Sequence, residues 1–411
     1  MDRAGEILQS RALFGMELGV ERSAALLAAL GEPQRSFRAV HVVGTNGKSS
    51  TTRFIAAALA AQGLRVGAYL SPHINGWHER VLLAEPGALP EPITAAAFER
   101  AVERAEAAAL RVDADRGGSC TQFEVLTAAA FVALAEAGVE AAAIEAGLGG
   151  RLDATNVLHA PVVVLTGVAL DHTEHLGPTR EDAAREKLAV VTPGAVLVAG
   201  GMDEVIRPTV ERIATERGAA RALLVGPGSL DDGLPDLAAA GTFQRGNATV
   251  ALGAAAALLG DAFEAERALA AIAQVVVPGR LEVVARYPLV VRDAAHNPDG
   301  AKVLAAELPR ALRGATPVIG VIALLADKDA GGFLAELAES FSAVVVTETG
   351  SDRALPAAQL LAACEAAGLT AELASDPAAA LARARFRAGP AGAVVIAGSL
   401  TLLAALATTD G

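Results

Sequence analysis

Apolar positions along this chain follow two rhythms. Short runs rich in Val, Ile and Leu alternate with longer Ala- and Leu-rich stretches whose polar positions recur at helical spacing. The runs at 39–43, 65–70, 141–145, 162–168 and 196–199 predict strands, and the stretches at 49–61, 98–110 and 123–137 predict helices between them. Strands that are apolar throughout and separated by helices indicate a parallel sheet covered on both faces. Two further helical stretches, 246–259 and 264–273, lead to a breaker, Val277-Pro278-Gly279-Arg280. Strands then recur at 289–291, 317–322, 343–347, 370–373 and 393–396, which predicts a second, smaller α/β unit. The expected domains are 1–286 and 287–411, with the Gly-, Pro- and Asp-rich stretch 226–241 as a surface loop inside the first.

Composition narrows the class. Hydrophobic residues make up 53% of the 411 residues but aromatics only 3%, so the core is built from Ala, Leu and Val. A mean hydropathy of +0.40 raises the question of a membrane. A spanning helix needs about 20 consecutive apolar residues; the most apolar stretches, 162–170 and 318–326, reach about half of that and end at charges. The start, Met1-Asp2-Arg3-Ala4-Gly5-Glu6, lacks the basic-then-apolar order of a signal peptide. Cys120 and Cys364 have no metal-ligand spacing, and two lone cysteines fit a reducing compartment. These features predict a soluble cytoplasmic protein with no membrane partner. The net charge of −13 argues against general nucleic-acid binding, which needs a basic field, but leaves room for a local basic pocket.

The first motif is a phosphate loop. Strand 39–43 runs into Gly44-Thr45-Asn46-Gly47-Lys48-Ser49-Ser50-Thr51 and then a helix. Backbone N–H groups in such a turn wrap a phosphate, and the helix dipole favours its charge. Lys48 would reach the outer phosphates, and Ser49 or Ser50 could touch Mg²⁺. The spacing is shorter than the common GxxxxGK[ST]. The bland alternative, an ordinary glycine-rich turn, leaves the lysine followed by hydroxyls unexplained.

Parallel strands end on one side of a sheet, so residues just beyond them gather around that loop. Ser71 follows the strand ending at 70, and Glu145 ends another before Gly147-Leu148-Gly149-Gly150-Arg151-Leu152-Asp153. Asp171 and His172 follow the next, and Lys187 stands on the helix after it. A hydroxyl, a carboxylate and an imidazole near a triphosphate suit Mg²⁺, which takes few protein ligands. The structural alternatives are an ion pair of Glu145 with Arg151 and a loop or capping role for His172. In the second unit Asp293-Ala294-Ala295-His296-Asn297-Pro298 again puts Asp and His past a strand, where Asn297 could instead cap a helix before Pro298. A second domain offering polar loops could close over the nucleotide.

These segments, with Ser71-Pro72-His73, Phe123-Glu124-Val125-Leu126-Thr127, Glu145 through Asn156, Leu170-Asp171-His172-Thr173, Arg185-Glu186-Lys187, Pro278-Gly279-Arg280, Ala326-Asp327-Lys328-Asp329 and Gly398-Ser399-Leu400, resemble the folylpolyglutamate synthase/dihydrofolate synthase family of the Mur ligase superfamily. Order and spacing match over nearly the whole chain, and the Glu-Ala-Gly-Leu-Gly-Gly-Arg run is highly specific. The resemblance implies a P-loop parallel-sheet ATPase domain followed by a smaller Rossmann-like α/β domain. It implies an ATP-dependent ligase that adds L-glutamate to a folate or dihydropteroate carboxylate through an acyl phosphate, giving ADP and phosphate.

Residue by residue, the resemblance assigns Gly44 through Ser50, Asn247, Arg280 and Asp293 to ATP, and places His296 near the phosphates. Lys48, Lys187 and His296 become the catalytic set. Two Mg²⁺ sites follow, one from Ser71 and Glu145, the other from Glu145, His172 and a carbamylated Lys187. The pterin side takes Gly19, Val20, Glu21, Arg22, Thr121, Phe123, Glu124, Arg151 and Asp153. Two departures stand out. Ser49 replaces the family's usual glycine, which leaves open whether Ser49 or Ser50 approaches the metal, and Ala294 replaces a glycine. Peptidoglycan-precursor ligases of the superfamily carry an N-terminal nucleotide-sugar domain, for which the 43 residues before Gly44 are too few. A regulatory P-loop NTPase would need no cluster at Glu145, His172 and Lys187. Still open at this stage are folylpolyglutamate synthesis alone against both activities, and the oligomeric state, expected to be a monomer.

Overall fold

The structure is a computed structural model, and it describes residues 3–12, 20–226 and 233–407. The chain divides into two compact units, Met1–Ala238 with Gln244–Val275, and Ala239–Phe243 with Val276–Gly411.

The first unit is built on an eight-stranded sheet: β1 (Arg38–Val43), β2 (Val66–Tyr69), β3 (Val81–Ala84), β4 (Glu91–Pro92), β5 (Ala141–Glu145), β6 (Val162–Leu165), β7 (Val196–Ala199) and β8 (Arg221–Leu224). Their order is β4-β3-β2-β5-β1-β6-β7-β8. From β2 to β8 all neighbours are parallel, and β3 and β4 add an antiparallel edge. The central strands β1 and β5 are buried almost throughout, which explains their unbroken apolar runs. One face packs the helices Ala95–Arg116 and Gln122–Glu136 through Phe98, Val102, Leu126 and Phe131. Farther along the same face, Arg180–Leu188 and Arg207–Glu216 pack through Leu188, Val210 and Ile213 against Leu165 and Leu197, while helices Lys48–Ala60 and Phe243–Leu259 cover the opposite face. Thr121 with Glu124 and Thr179 with Asp182 start two of these helices as capping boxes. Runs such as Ala128–Ala130, fully buried, let a helix approach the sheet closely, which is how so few aromatics suffice.

The second unit carries β9 (Glu282–Arg286), β10 (Leu289–Arg292), β11 (Val318–Ile322), β12 (Ala343–Val346), β13 (Ala371–Leu373) and β14 (Ala393–Ala397), in the order β13-β12-β11-β14-β10-β9. All pairs are parallel except β9 with β10. Leu304, Leu308, Phe333, Leu334 and Leu360 from its helices cover Val291, Ile322 and Val344.

The α/β class and the two-sheet plan are as expected, but the boundary moves. A division at 286/287 would separate β9 from β10, which pair through Arg286 and Leu289 in one hairpin. The units part at 275/276 instead, just before the Pro-Gly breaker. The segment at 239–243 belongs to the second unit, where Thr242 gives its N–H and hydroxyl to Glu307. The stretch expected as a loop of the first unit therefore contributes to both, and its residues 227–232 lie outside the described ones. The strands the sequence hides, β3, β4, β8 and β9, lie at or next to sheet edges, and all but β3 are largely exposed without a continuous apolar run. No helix among the described residues is long and apolar enough to cross a membrane.

Candidate active site

Four adjacent strands, β2, β5, β1 and β6, end on one side of the first sheet, and the polar residues that follow them meet there. The turn after β1 has no room for side chains at two positions. A Cβ on Gly44 would stand 1.9 Å from Thr166 Oγ1, and one on Gly47 2.6 Å from Asn247 Oδ1. Gly47 also has φ +85°, a left-handed value that favours glycine. The loop after β6 holds this turn from behind. Thr166 Oγ1 donates to Asn46 O (2.6 Å), Thr45 N donates to Gly167 O (3.0 Å), and Thr45 Oγ1 bonds Ala169 N and O (3.1 Å each). Helix Lys48–Ala60 begins at the turn and turns the positive end of its dipole toward it. Lys48 Nζ donates to Gly44 O and Thr45 O at 3.1 Å each. Asn247, on helix Phe243–Leu259, is steadied by Gln244 Oε1 at 2.9 Å.

Glu145, at the end of β5, is 1% exposed. Its carboxylate accepts from Ser49 Oγ (3.0 Å) and Ser71 N (3.2 Å). Ser49 therefore faces the carboxylate, whereas Ser50 is buried in the helix packing with no hydrogen-bond partner for its hydroxyl. Arg151 does not pair with Glu145; its Nε donates to Glu186 Oε1 at 2.7 Å.

The glycine-rich turn after Glu145 is a clasp between β5 and helix Arg180–Leu188. A Cβ on Gly150 would lie 2.7 and 2.8 Å from the carbonyls of Lys187 and Glu186, and Arg151 N donates to Glu186 O. Asp153, expected at the pterin, lies under this turn. Its carboxylate accepts from Gly147 N, Leu148 N, Thr155 N and Thr155 Oγ1, and burial raises its pKa against those bonds. Thr155 Oγ1 in turn meets Nε2 of His41 at 2.8 Å. His41, on β1, is wholly buried, which pushes its pKa down to about 4 and keeps it neutral.

Lys187 is 2% exposed. Burial, then the nearby Lys48 charge, pulls its pKa down to about 7 against the opposing pull of Asp171 and Glu186. His172 has φ 48° and starts the short helix Thr173–Leu176 with its backbone, while its Nε2 lies 3.9 Å from Asp171 Oδ1. Among the described residues no three His, Cys, Asp or Glu side chains form a metal-ligand group by themselves.

Beside this edge, Glu124 closes its capping box on Thr121 and accepts from Ser23 Oγ at 3.4 Å, joining helix Gln122–Glu136 to helix Glu21–Ala29. Val20 precedes the latter helix and Glu21 begins it. Arg22 donates to Gly117 O at 3.0 Å. The Phe123 ring closes on Gly147, where a Cβ would come within 2.5 Å, and its centroid lies 6.3 Å from that of Tyr69. Gly19 lies outside the described residues.

In the second unit Asp293 accepts from Leu281 N (2.9 Å) and Ala295 N (2.8 Å), and is 5% exposed. Asn297 does cap helix Pro298–Leu312, through Gly300 N at 2.8 Å. His296 Nδ1 donates to Ala294 O at 2.8 Å, and Arg280 Nη1 to Gly279 O at 3.3 Å. Sequence reasoning passed over Thr166, His41 and Arg80. For Thr166 the signal was a Thr-Gly pair directly after a strand.

Residues 279–400 match the family described as Mur ligase, glutamate ligase domain. The dihydrofolate synthase/folylpolyglutamate synthase of Mycobacterium tuberculosis is 36% identical over 370 residues, covering 81% of this chain and 75% of that protein. The M. tuberculosis folylpolyglutamate synthase solved with ADP and AMPPCP superimposes with a TM-score of 0.88 at 32% identity, over 100% of this chain and 98% of that one. A bifunctional folylpolyglutamate synthase/dihydrofolate synthase from Yersinia pestis, solved with AMPPNP and a manganese ion, gives a TM-score of 0.81 at 29% identity over 98% and 96%. The chain belongs to the folylpolyglutamate synthase/dihydrofolate synthase family of the Mur ligase superfamily.

Proposed function

We propose that the chain is an ATP-dependent ligase that joins L-glutamate to the carboxylate of a folate, and that it accepts dihydropteroate as well as reduced folates. One observation carries the reading. At a single sheet edge, a glycine turn with no room for side chains at 44 and 47 leads into Lys48, beside a buried Glu145 that faces Ser49 and Ser71. Relatives solved with ADP, AMPPCP, AMPPNP and manganese support it.

The turn and the helix N-terminus hold the triphosphate, and Lys48 neutralises charge on its outer phosphates. Asn247, against Gly47, serves the nucleotide, Arg280 and His296 are assigned to it by the resemblance, and Asp293 orders the loop that carries His296. The buried carboxylate with a hydroxyl and further oxygen donors suits a hard divalent cation. Ser71 and Glu145 would hold one Mg²⁺, with Ser49 rather than Ser50 as the hydroxyl beside it. Glu145, His172 and Lys187 would hold the second, Lys187 as a carbamate, for which its buried, weakly basic amine is suited. When bound, Mg²⁺ supplies neutralisation of the transferring phosphoryl group.

Val20, Glu21, Arg22, Thr121, Phe123, Glu124 and Arg151 line the pterin side, and Asp153 shapes the turn between the two sites. The acceptor carboxylate attacks the γ-phosphorus and ADP leaves. The glutamate amine then displaces phosphate from the acyl phosphate. The chain's work is positioning and charge neutralisation with water kept out, because an acyl phosphate hydrolyses. It acts in the cytoplasm as a monomer, which sedimentation checks against 41.4 kDa.

ADP release with Mg-ATP and L-glutamate, measured separately with dihydropteroate and with tetrahydrofolate, tests the reading. Turnover with both establishes the two activities. Turnover with tetrahydrofolate alone restricts the enzyme to polyglutamylation. ADP release indifferent to either acceptor overturns the ligase reading in favour of an NTPase.

A further inference from the structure

Two arginines of the first unit are deeply buried, and they are treated differently. Arg11, 8% exposed, donates to Glu106, Asp113 and Cys120 O, so its charge is matched. Arg80, 9% exposed, has no carboxylate within ion-pair distance among the described residues. Its Nε donates to Nδ1 of His73 at 2.9 Å, which requires that nitrogen to be unprotonated. Its guanidinium carbon lies 4.7 Å over the ring of Trp77, and the His73 and Trp77 rings stand 4.6 Å apart. Nη1 and Nη2 donate to no described residue. Glu145 acts on this charge only from beyond ion-pair distance, and with a neutral imidazole and one aromatic face it does not replace the hydration of a buried cation. The planar donor fork is held ready for an anion.

The position says which anion. Arg80 O accepts from Leu70 N at the end of β2, and the next residue, Ser71, donates to Glu145. β5, carrying Glu145, runs between β2 and β1, so Arg80 and the phosphate turn stand on opposite sides of that carboxylate. The phosphates are already served from β1 by the turn, Lys48 and the helix N-terminus. On the Arg80 side stand the half-buried rings of Trp77 and Phe123, the latter beside the buried Tyr69.

We infer that Arg80 binds the anionic end of the acceptor, an aryl or alkyl carboxylate, through Nη1 and Nη2. This rests on the ligase reading above. As one carboxylate oxygen forms its bond to the γ-phosphorus, the bond from that phosphorus to the bridging oxygen breaks and ADP takes the electron pair. Arg80 keeps its proton throughout and holds the charge of the acyl phosphate that results.

Trp77 is the only tryptophan in the chain and reports directly on this position. Its fluorescence should be titrated with pteroate and with the uncharged pteroate amide, in the wild-type protein, Arg80→Gln and Arg80→Lys. The wild type should prefer the carboxylate by about tenfold or more. Arg80→Gln should lose that preference while its affinity for the amide stays within about twofold, which also shows that the variant is folded. Arg80→Lys should keep part of the preference. In turnover, Arg80→Gln should raise KM for the acceptor and lower kcat, with KM for ATP within about twofold. A preference for carboxylate absent from the wild type, or unchanged in Arg80→Gln, overturns the inference, as does a rise confined to KM for ATP. If Arg80 governs carboxylate binding but ADP release ignores the acceptor, the ligase reading falls and the anion site stands. If ADP release depends on the acceptor and the Gln variant keeps its preference, only this inference falls.

Discussion

The two units place the same residue types past their strand ends and, Asp153 apart, use them differently. In the first, charged groups are taken out of water at the sheet edge. Glu145 faces a hydroxyl and an N–H, Lys187 has its pKa drawn down to about 7, and Arg80 meets a neutral imidazole. In the second, Asp293, Asn297 and Asp329 accept from backbone N–H groups of their own loops and helix starts. Taking charges out of water disfavours folding, and such groups persist where a ligand uses them. Capping acids favour folding and need no ligand. The difference separates a site that gathers chemistry from loops whose polar residues first secure their own shape.

The largest effect should come from Lys48→Ala, which removes the cation at the phosphate turn. ADP release should fall by about 10³-fold or more with little change in thermal stability. Glu145→Gln keeps size and hydrogen bonding but removes charge; activity should fall about 10²-fold, and the Mg²⁺ needed for half-maximal rate should rise about tenfold or more. Chelation of divalent cations should abolish turnover of the wild type.

The second unit should respond through stability. Asp293→Ala leaves the buried N–H groups of Leu281 and Ala295 without an acceptor and should cost about 1–3 kcal/mol in denaturant unfolding. A loss of activity at full stability would break the comparison.

The smallest effect concerns His41. The unfolded chain binds a proton on this imidazole below about pH 6.5, the folded chain only below about 4. Above that range the group makes no difference. As pH falls from about 6.5 toward 4 the unfolded state gains protons and stability is lost, by about 2 kcal/mol at pH 5. His41→Gln should lose correspondingly less between pH 7 and pH 5, measured by urea unfolding.

Central strands and the phosphate turn were legible because burial on both faces demands unbroken apolar runs, and the turn demands glycines. Edge strands such as β4 and β9 were not, since half-exposed residues carry no such signature. Glu145 and Lys187 were visible by type and place. Which oxygen of which residue is already engaged was not. Asp153 reads as a ligand in the sequence, yet four donors from residues 147–155 occupy its carboxylate. Thr166 and Asn247 matter because folding brings them against Gly44 and Gly47 from more than a hundred residues away, and those two contacts are visible only in the folded chain. Arg80 was hidden for the opposite reason. Its neighbours His73 and Trp77 are close in sequence, but only their packing shows that the guanidinium has no carboxylate at ion-pair distance.

The central claim, ligation through an acyl phosphate at the edge of the first sheet, is tested most directly by following an oxygen atom. Dihydropteroate labelled with ¹⁸O in its carboxylate is incubated with the protein, Mg-ATP and L-glutamate, and the released phosphate is analysed by mass spectrometry. One labelled oxygen per phosphate, formed in step with the glutamylated product, is the predicted result. Phosphate carrying no label would contradict it.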